Sequence, residues 1–182
     1  DEIDDVLRKI EDLVRKLREL VKKVLEDSKR LLEEIKRLAK EALERSEELV
    51  RRVEELARRG DIDEKELREV LETSKRLSEE VRKRAEELLK ESRDLSEELR
   101  KRLEDVVREI RKLVKDVADK TTIEEVIRKL EEAVKRAEEL VKRIEEELRK
   151  VDEEVERLVR EIEKELREVN DRLRRLIEEI AR

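Results

Sequence analysis

The sequence predicts an all-α fold: a single-chain antiparallel bundle of three long helices running up-down-up. Three observations predict it. First, 58% of the 182 residues are Asp, Glu, Lys or Arg and 36% are hydrophobic, a composition that marks long helices or coiled coils when the apolar residues recur at helical spacing. Second, the chain holds one Gly and no Pro, so almost nothing in it can interrupt a helix. Third, only two short stretches break the apolar pattern, dividing the chain into three segments of nearly equal length.

The first helix spans about 2–59 and ends at Arg58-Arg59-Gly60. Gly60 can take the left-handed conformation that closes a helix, and the two arginines sit favourably against the negative end of the dipole. The second spans about 63–118. Asp63 caps it, Glu66 three residues later completes a capping box, and Ile62 before the cap can staple onto Leu67. The third spans about 122–181 and follows Asp119-Lys120-Thr121-Thr122, where Thr122 caps with Glu125 or Thr121 with Glu124. No Gly marks that turn, so its boundaries are looser. At 1.5 Å per residue each helix is roughly 85 to 90 Å long. Turns of three or four residues make consecutive helices antiparallel neighbours. Bundle handedness stays open.

The spacing of the inward residues decides the architecture. In the second helix these are Ser74, Leu77, Val81, Ala85, Leu88, Ser92, Leu95, Leu99, Leu103, Val106 and Ile110, with steps of three, four, four, three and four. Five positions in 18 residues give the period of a straight α-helix, whereas a heptad would impose a left-handed supercoil. The expectation is nearly straight helices with little or no supercoil. A shared register follows. Positions whose numbers total 120 should meet between the first two helices, and those totalling 240 between the last two. Ile10 then meets Ile110 and Leu130, Ile35 meets Ala85 and Val155, Val53 meets Leu67 and Leu173, and Val117 meets Ile123. Leu17 and Leu103 face Ala137, large against small, which fills a core without voids. About 45 inward side chains, low contact order and agreement of every local preference with the fold imply very high thermal stability.

Composition also excludes function classes. The 50 basic and 56 acidic residues leave a net charge of −6, without the basic excess of a nucleic-acid binder. Apolar residues never run beyond two, so no membrane span is expected, and no targeting signal is visible at the start. Soluble expression is the expectation. There is no His and no Cys, hence no haem ligation, ordinary zinc site, thiol chemistry or imidazole base. No catalytic, cofactor-binding or metal-ligating residue is expected, and no enzymatic activity.

The polar residues within the stripe are the candidates for anything more. Ser28 and Ser92 share a layer with Leu148, Ser46 and Ser74 with Leu166, Ser78 with Ala42 and Ile162, and Ser96 with Val24 and Ile144. Ser28 and Ser46 in the first helix stand 18 apart, as do Ser74 and Ser92, and Ser78 and Ser96, in the second. The plain reading is that small side chains let helices approach, with each hydroxyl bonded to a carbonyl of the preceding turn. The functional readings are a hydroxyl-lined small-molecule site, or a buried polar pair that fixes register. Asp152 and Asn170 flank the stripe and are expected at its wet margin. Arg59-Gly60-Asp61 spells the tripeptide of integrin ligands, although each of its residues is also what turn chemistry requires. Carboxylate runs such as Glu145-Glu146-Glu147 are expected by chance among 56 acidic residues. A calcium loop from Asp61 fails, because Lys65 and Glu66 occupy its fifth and sixth positions. Phosphate loops need several glycines, and no His can activate a serine.

The twelve-letter alphabet, the 18-residue repeat, the boxes at Asp63 to Glu66 and Thr122 to Glu125, and the shared register resemble computationally designed, parametrically generated untwisted three-helix bundles. Spectrin-like repeats share the architecture but carry aromatic and irregular core positions missing here. The resemblance covers the whole chain. It implies a designed structural protein: monomeric, hyperstable, a rigid scaffold without partners. The alternatives are a binding module, through the serine layers or Arg59-Gly60-Asp61, and a domain-swapped oligomer.

Overall fold

The computed structural model describes the backbone of residues 2–60 and 63–181, and the side chains of 3–60 and 63–180. The described residues form three α-helices: α1 (Glu2–Arg59), α2 (Glu64–Ala118) and α3 (Glu124–Ala181). The fold is all-α, as the composition requires.

At the α1–α2 turn the glycine closure and the Asp63 cap form as expected. Gly60 has φ 70°, and it is the positive-φ residue among those described. Its nitrogen donates to Ala57 O at 3.4 Å, satisfying one of the open carbonyls at the helix end. Asp63 caps α2 by accepting Lys65 N on Oδ1 at 3.0 Å, while its carbonyl takes the first helical bond, from Leu67 N at 3.2 Å. The Glu66 carboxylate meets Arg52 of α1 at 3.8 Å. The staple expected from Ile62 lies outside the described residues.

The α2–α3 turn departs from expectation. Helix α3 starts at Glu124, two residues later than the spacing predicts, and the cap position falls to Ile123, whose carbonyl accepts Ile127 N at 3.2 Å. Thr121 accepts Ile123 N on its hydroxyl at 3.3 Å, a local turn and not a cap. Two adjacent threonines offer the backbone competing partners, and here the turn outcompetes the first helical residue. Ile123, placed outside the helix, is 55% exposed while Val117 is buried, so that expected pair is not made. The helical register does not extend into a non-helical turn.

The three helices contribute to two compact units, Asp1–Lys29 with Ser92–Glu153, and Arg30–Glu91 with Glu154–Arg182. In the first unit, Val6 and Ile10 of α1 share a cluster with Ile110 and Val117 of α2 and Leu130 and Ala137 of α3. A second cluster joins Leu17 and Val24 to Leu99 and Leu103 and to Val141, Ile144 and Leu148. As α1 numbers rise, α2 numbers fall and α3 numbers rise, so α2 is antiparallel to both. In the second unit Val50 and Val53 pack with Leu67, Val70 and Leu173, and Arg84 of α2 pairs with Glu34 of α1, again antiparallel. The predicted groupings of Ile10, Ile110 and Leu130, and of Val53, Leu67 and Leu173, each fall within one cluster.

Burial repeats every 18 residues. Leu17, Ile35 and Val53 are buried, as are their counterparts Leu103, Ala85 and Leu67 on α2 and Ala137, Val155 and Leu173 on α3. Leu95 and Val106, expected inside, are half-buried. Buried apolar residues number 29 among those described, fewer than the roughly 45 inward positions of the pattern. Three helices enclose a narrow core. One residue per layer and helix closes it, and the flanking apolar residues stay partly in water.

Candidate functional site

The buried polar residues are Ser28, Ser46, Ser74, Ser92 and Ser96, all of them singled out by the apolar pattern. Serine intrudes on a hydrophobic stripe only at the cost of finding its hydroxyl a partner. Among the described residues no buried side-chain nitrogen or oxygen lacks one.

For three of these serines, and for the half-buried Ser78, the partner is an Asx side chain on another helix. In the second unit the Ser74 hydroxyl donates to Asn170 Oδ1, and Asn170 Nδ2 donates to Ser78 Oγ at 2.7 Å. In the first unit the hydroxyls of Ser92 and Ser96 both donate to Asp152 Oδ1, at 3.2 and 2.9 Å. The expectation that these hydroxyls turn back onto their own helix is thereby corrected. Each serine pair is spaced i, i+4, one turn apart on a single face, so one Asx side chain spans both. Asp152 and Asn170 are half-buried, in keeping with a margin position, yet their heads lean inward across the α2–α3 seam. Their signal was present in the sequence: 152 and 170 stand 18 apart, as 74 and 92 do, and Asn170 is the one Asn of the chain.

The two clusters differ in chemistry. Asn170 offers an acceptor and a donor, so it accepts a hydrogen bond from Ser74 and donates one to Ser78. Asp152 as a carboxylate offers acceptors only, so both of its serines donate.

The remaining candidates resolve individually. Arg59 belongs to the last turn of α1, where its guanidinium donates to Glu55 at 2.8 Å; Asp61, which would complete the tripeptide, lies outside the described residues. Among the described residues no group of three or more acidic side chains is gathered as a metal ion would need. Arg84 is held in its charged form by its bond to Glu34 and, less strongly, by Glu87, which raise its pKa further above the ordinary guanidinium range. Two clefts stand out. One, of about 730 Å³ in the first unit, has a floor of Leu7, Ile10, Val14, Ala133, Ala137 and Leu140 and a rim of mixed charge. It is a groove open to solvent, left where the short alanines of α3 lie among long charged residues drawn to water; Leu17, Leu103 and Ala137, expected to share a layer, are all buried. The other, of about 270 Å³ in the second unit, lies beside Ser78 and Asn170 among charged side chains. No described helix is long and apolar enough to cross a membrane.

Among solved structures the chain is similar to one described as a computationally designed three-helix bundle, with a TM-score of 0.56 and 18% identity, covering 99% of this chain and 92% of that one. The fold is that of a designed three-helix bundle. No protein-family model matches the sequence, and no curated protein matches it.

Proposed function

We propose that the chain is a de novo designed structural protein, a monomeric and hyperstable helical scaffold that catalyses no reaction. The observation that carries this reading is end-to-end consistency. Burial recurs at 18 residues in all three helices, and no buried polar side-chain atom among the described residues is left without a partner. Natural proteins break such consistency where they work, because functional sites store strain, exposed apolar surface or unpaired charge. The likeness in fold to a computationally designed bundle supports the same reading.

The test is thermal and chemical unfolding followed by circular dichroism, with light scattering for mass. A scaffold of this kind keeps its helical signal above about 90 °C or in more than about 5 M guanidinium chloride, at the mass of one chain. Melting in the range of ordinary mesophilic domains, or a doubled mass from exchange of helices between chains, would overturn it.

A further inference from the structure

We propose that the two serine–Asx clusters fix the register of α3 against α2, and that they stand on this seam because its turn specifies the pairing least. The argument begins with what apolar layers alone permit. On a stripe stepped three, four, four, three, four, sliding one helix by seven or eleven residues again sets apolar side chains against apolar side chains. Leucine, isoleucine and valine discriminate weakly between such alternatives, since volume-conserving exchanges are tolerated.

The polar clusters discriminate strongly. A slip of seven residues carries Asn170 from Ser74 and Ser78 to Val81 and Ala85, and Asp152 from Ser92 and Ser96 to Leu99 and Leu103. In the opposite sense they meet Leu67 and Leu71, and Ala85 and Leu89. Either slip leaves the buried hydroxyls of Ser74, Ser92 and Ser96 without their Asx partners and turns the half-buried Ser78, Asp152 and Asn170 toward apolar neighbours, where each unpaired group is penalised. A slip by the full repeat of 18 keeps one cluster and breaks the other: Asn170 reaches Ser92 and Ser96, while Asp152 is set against Ile110 and Val114. The observed register alone satisfies both. A buried polar residue that selects one alignment at some expense of stability is the best attested use of such groups.

Placement supports the assignment. The α1–α2 turn is defined by Gly60 at φ 70° and by the Asp63 cap. The α2–α3 turn has neither device: its cap position is Ile123, and no non-glycine residue among those described has positive φ. The four serine–Asx bonds of the two clusters run between α2 and α3.

The experiment separates the turn from the clusters. A flexible Gly/Ser segment of about ten residues, long enough to release the turn, is inserted after Lys120 in the full chain. A companion chain carries the same insertion and Ser74→Ala, Ser78→Ala, Ser92→Ala, Ser96→Ala, Asp152→Leu and Asn170→Leu. Spin labels at exposed Lys83 and Lys164 report the α2–α3 distance by pulsed electron resonance. The first chain should show one narrow distance. The companion, at equal or greater helicity and thermal stability, should show additional populations displaced along the helix by about 10 Å for a seven-residue slip. A single unchanged distance in both chains would overturn the proposal, as would several in the first. A milder companion, carrying only Asp152→Leu and Asn170→Leu, covers the case in which the full set fails to fold, and is read by the same criteria.

Discussion

Asn170 sits between two serines one helical turn apart, accepting a hydrogen bond from Ser74 and donating one to Ser78 at 2.7 Å. Removing it should hurt mainly through what it leaves behind. Asn170→Ala deprives the buried Ser74 of its partner and should lower unfolding free energy by about 1 to 2 kcal/mol in guanidinium titrations. Ser74→Ala in the same chain should recover part of that loss, because no hydroxyl is then stranded. Additive losses in the double variant would show that the two side chains are not coupled.

Asp152 should tolerate an amide better than Asn170 tolerates deletion. Asp152→Asn keeps one acceptor oxygen and gains a donor, the arrangement that already works at Asn170, so its cost should stay within about 1 kcal/mol. Asp152→Ala should cost more than Asp152→Asn. Equal losses for the two variants would count against the bonds to Ser92 and Ser96.

The first turn separates backbone conformation from packing. A Cβ built at Gly60 meets nothing within 4 Å, so any effect of Gly60→Ala arises from the positive φ alone. About 1 kcal/mol is expected, with Gly60→Asn costing less. Asp63→Ala, which removes the acceptor for Lys65 N, should cost about 1 kcal/mol as well. A neutral Gly60→Ala would mean that the turn relaxes out of the left-handed conformation.

At the second turn the expected sign is reversed. Ile123 is exposed and occupies a cap position where a short polar side chain serves better. Ile123→Ser should therefore stabilise the protein, by about 0.5 to 1 kcal/mol. A destabilised variant would imply that Ile123 makes apolar contacts worth more than a cap.

The cleft over Ala133 and Ala137 invites filling. Ala133 is half-buried at its floor, and Ala133→Leu adds three carbons where there is room. A gain of about 0.5 to 2 kcal/mol is expected. Loss of stability would show that the cleft closes in solution and that leucine overpacks it.

What could be read in the sequence was what depends on spacing. Apolar period places Leu17, Ile35 and Val53 inside because each lies five helical turns from the next, and Gly60 ends α1 because only glycine takes that conformation at no steric cost. Reach was harder to read. Spacing fixes where a Cα sits on the cylinder but not which way a half-buried Asp152 or Asn170 leans, so their bonds to the serines escaped a reading based on layers. Competition was harder still: Thr121, Thr122 and Ile123 each satisfy some rule for the second turn, and the outcome depends on balances smaller than any one rule resolves.

Recurrence of the same face every five turns also makes length a free variable. On an unwound helix five turns are 18 residues, so taking 18 residues from each helix at matching levels, or adding them, is expected to keep the apolar face in phase, about 27 Å of helix at a time. Other lengths shift that face around the cylinder. Resizing is therefore expected to succeed only in whole quanta.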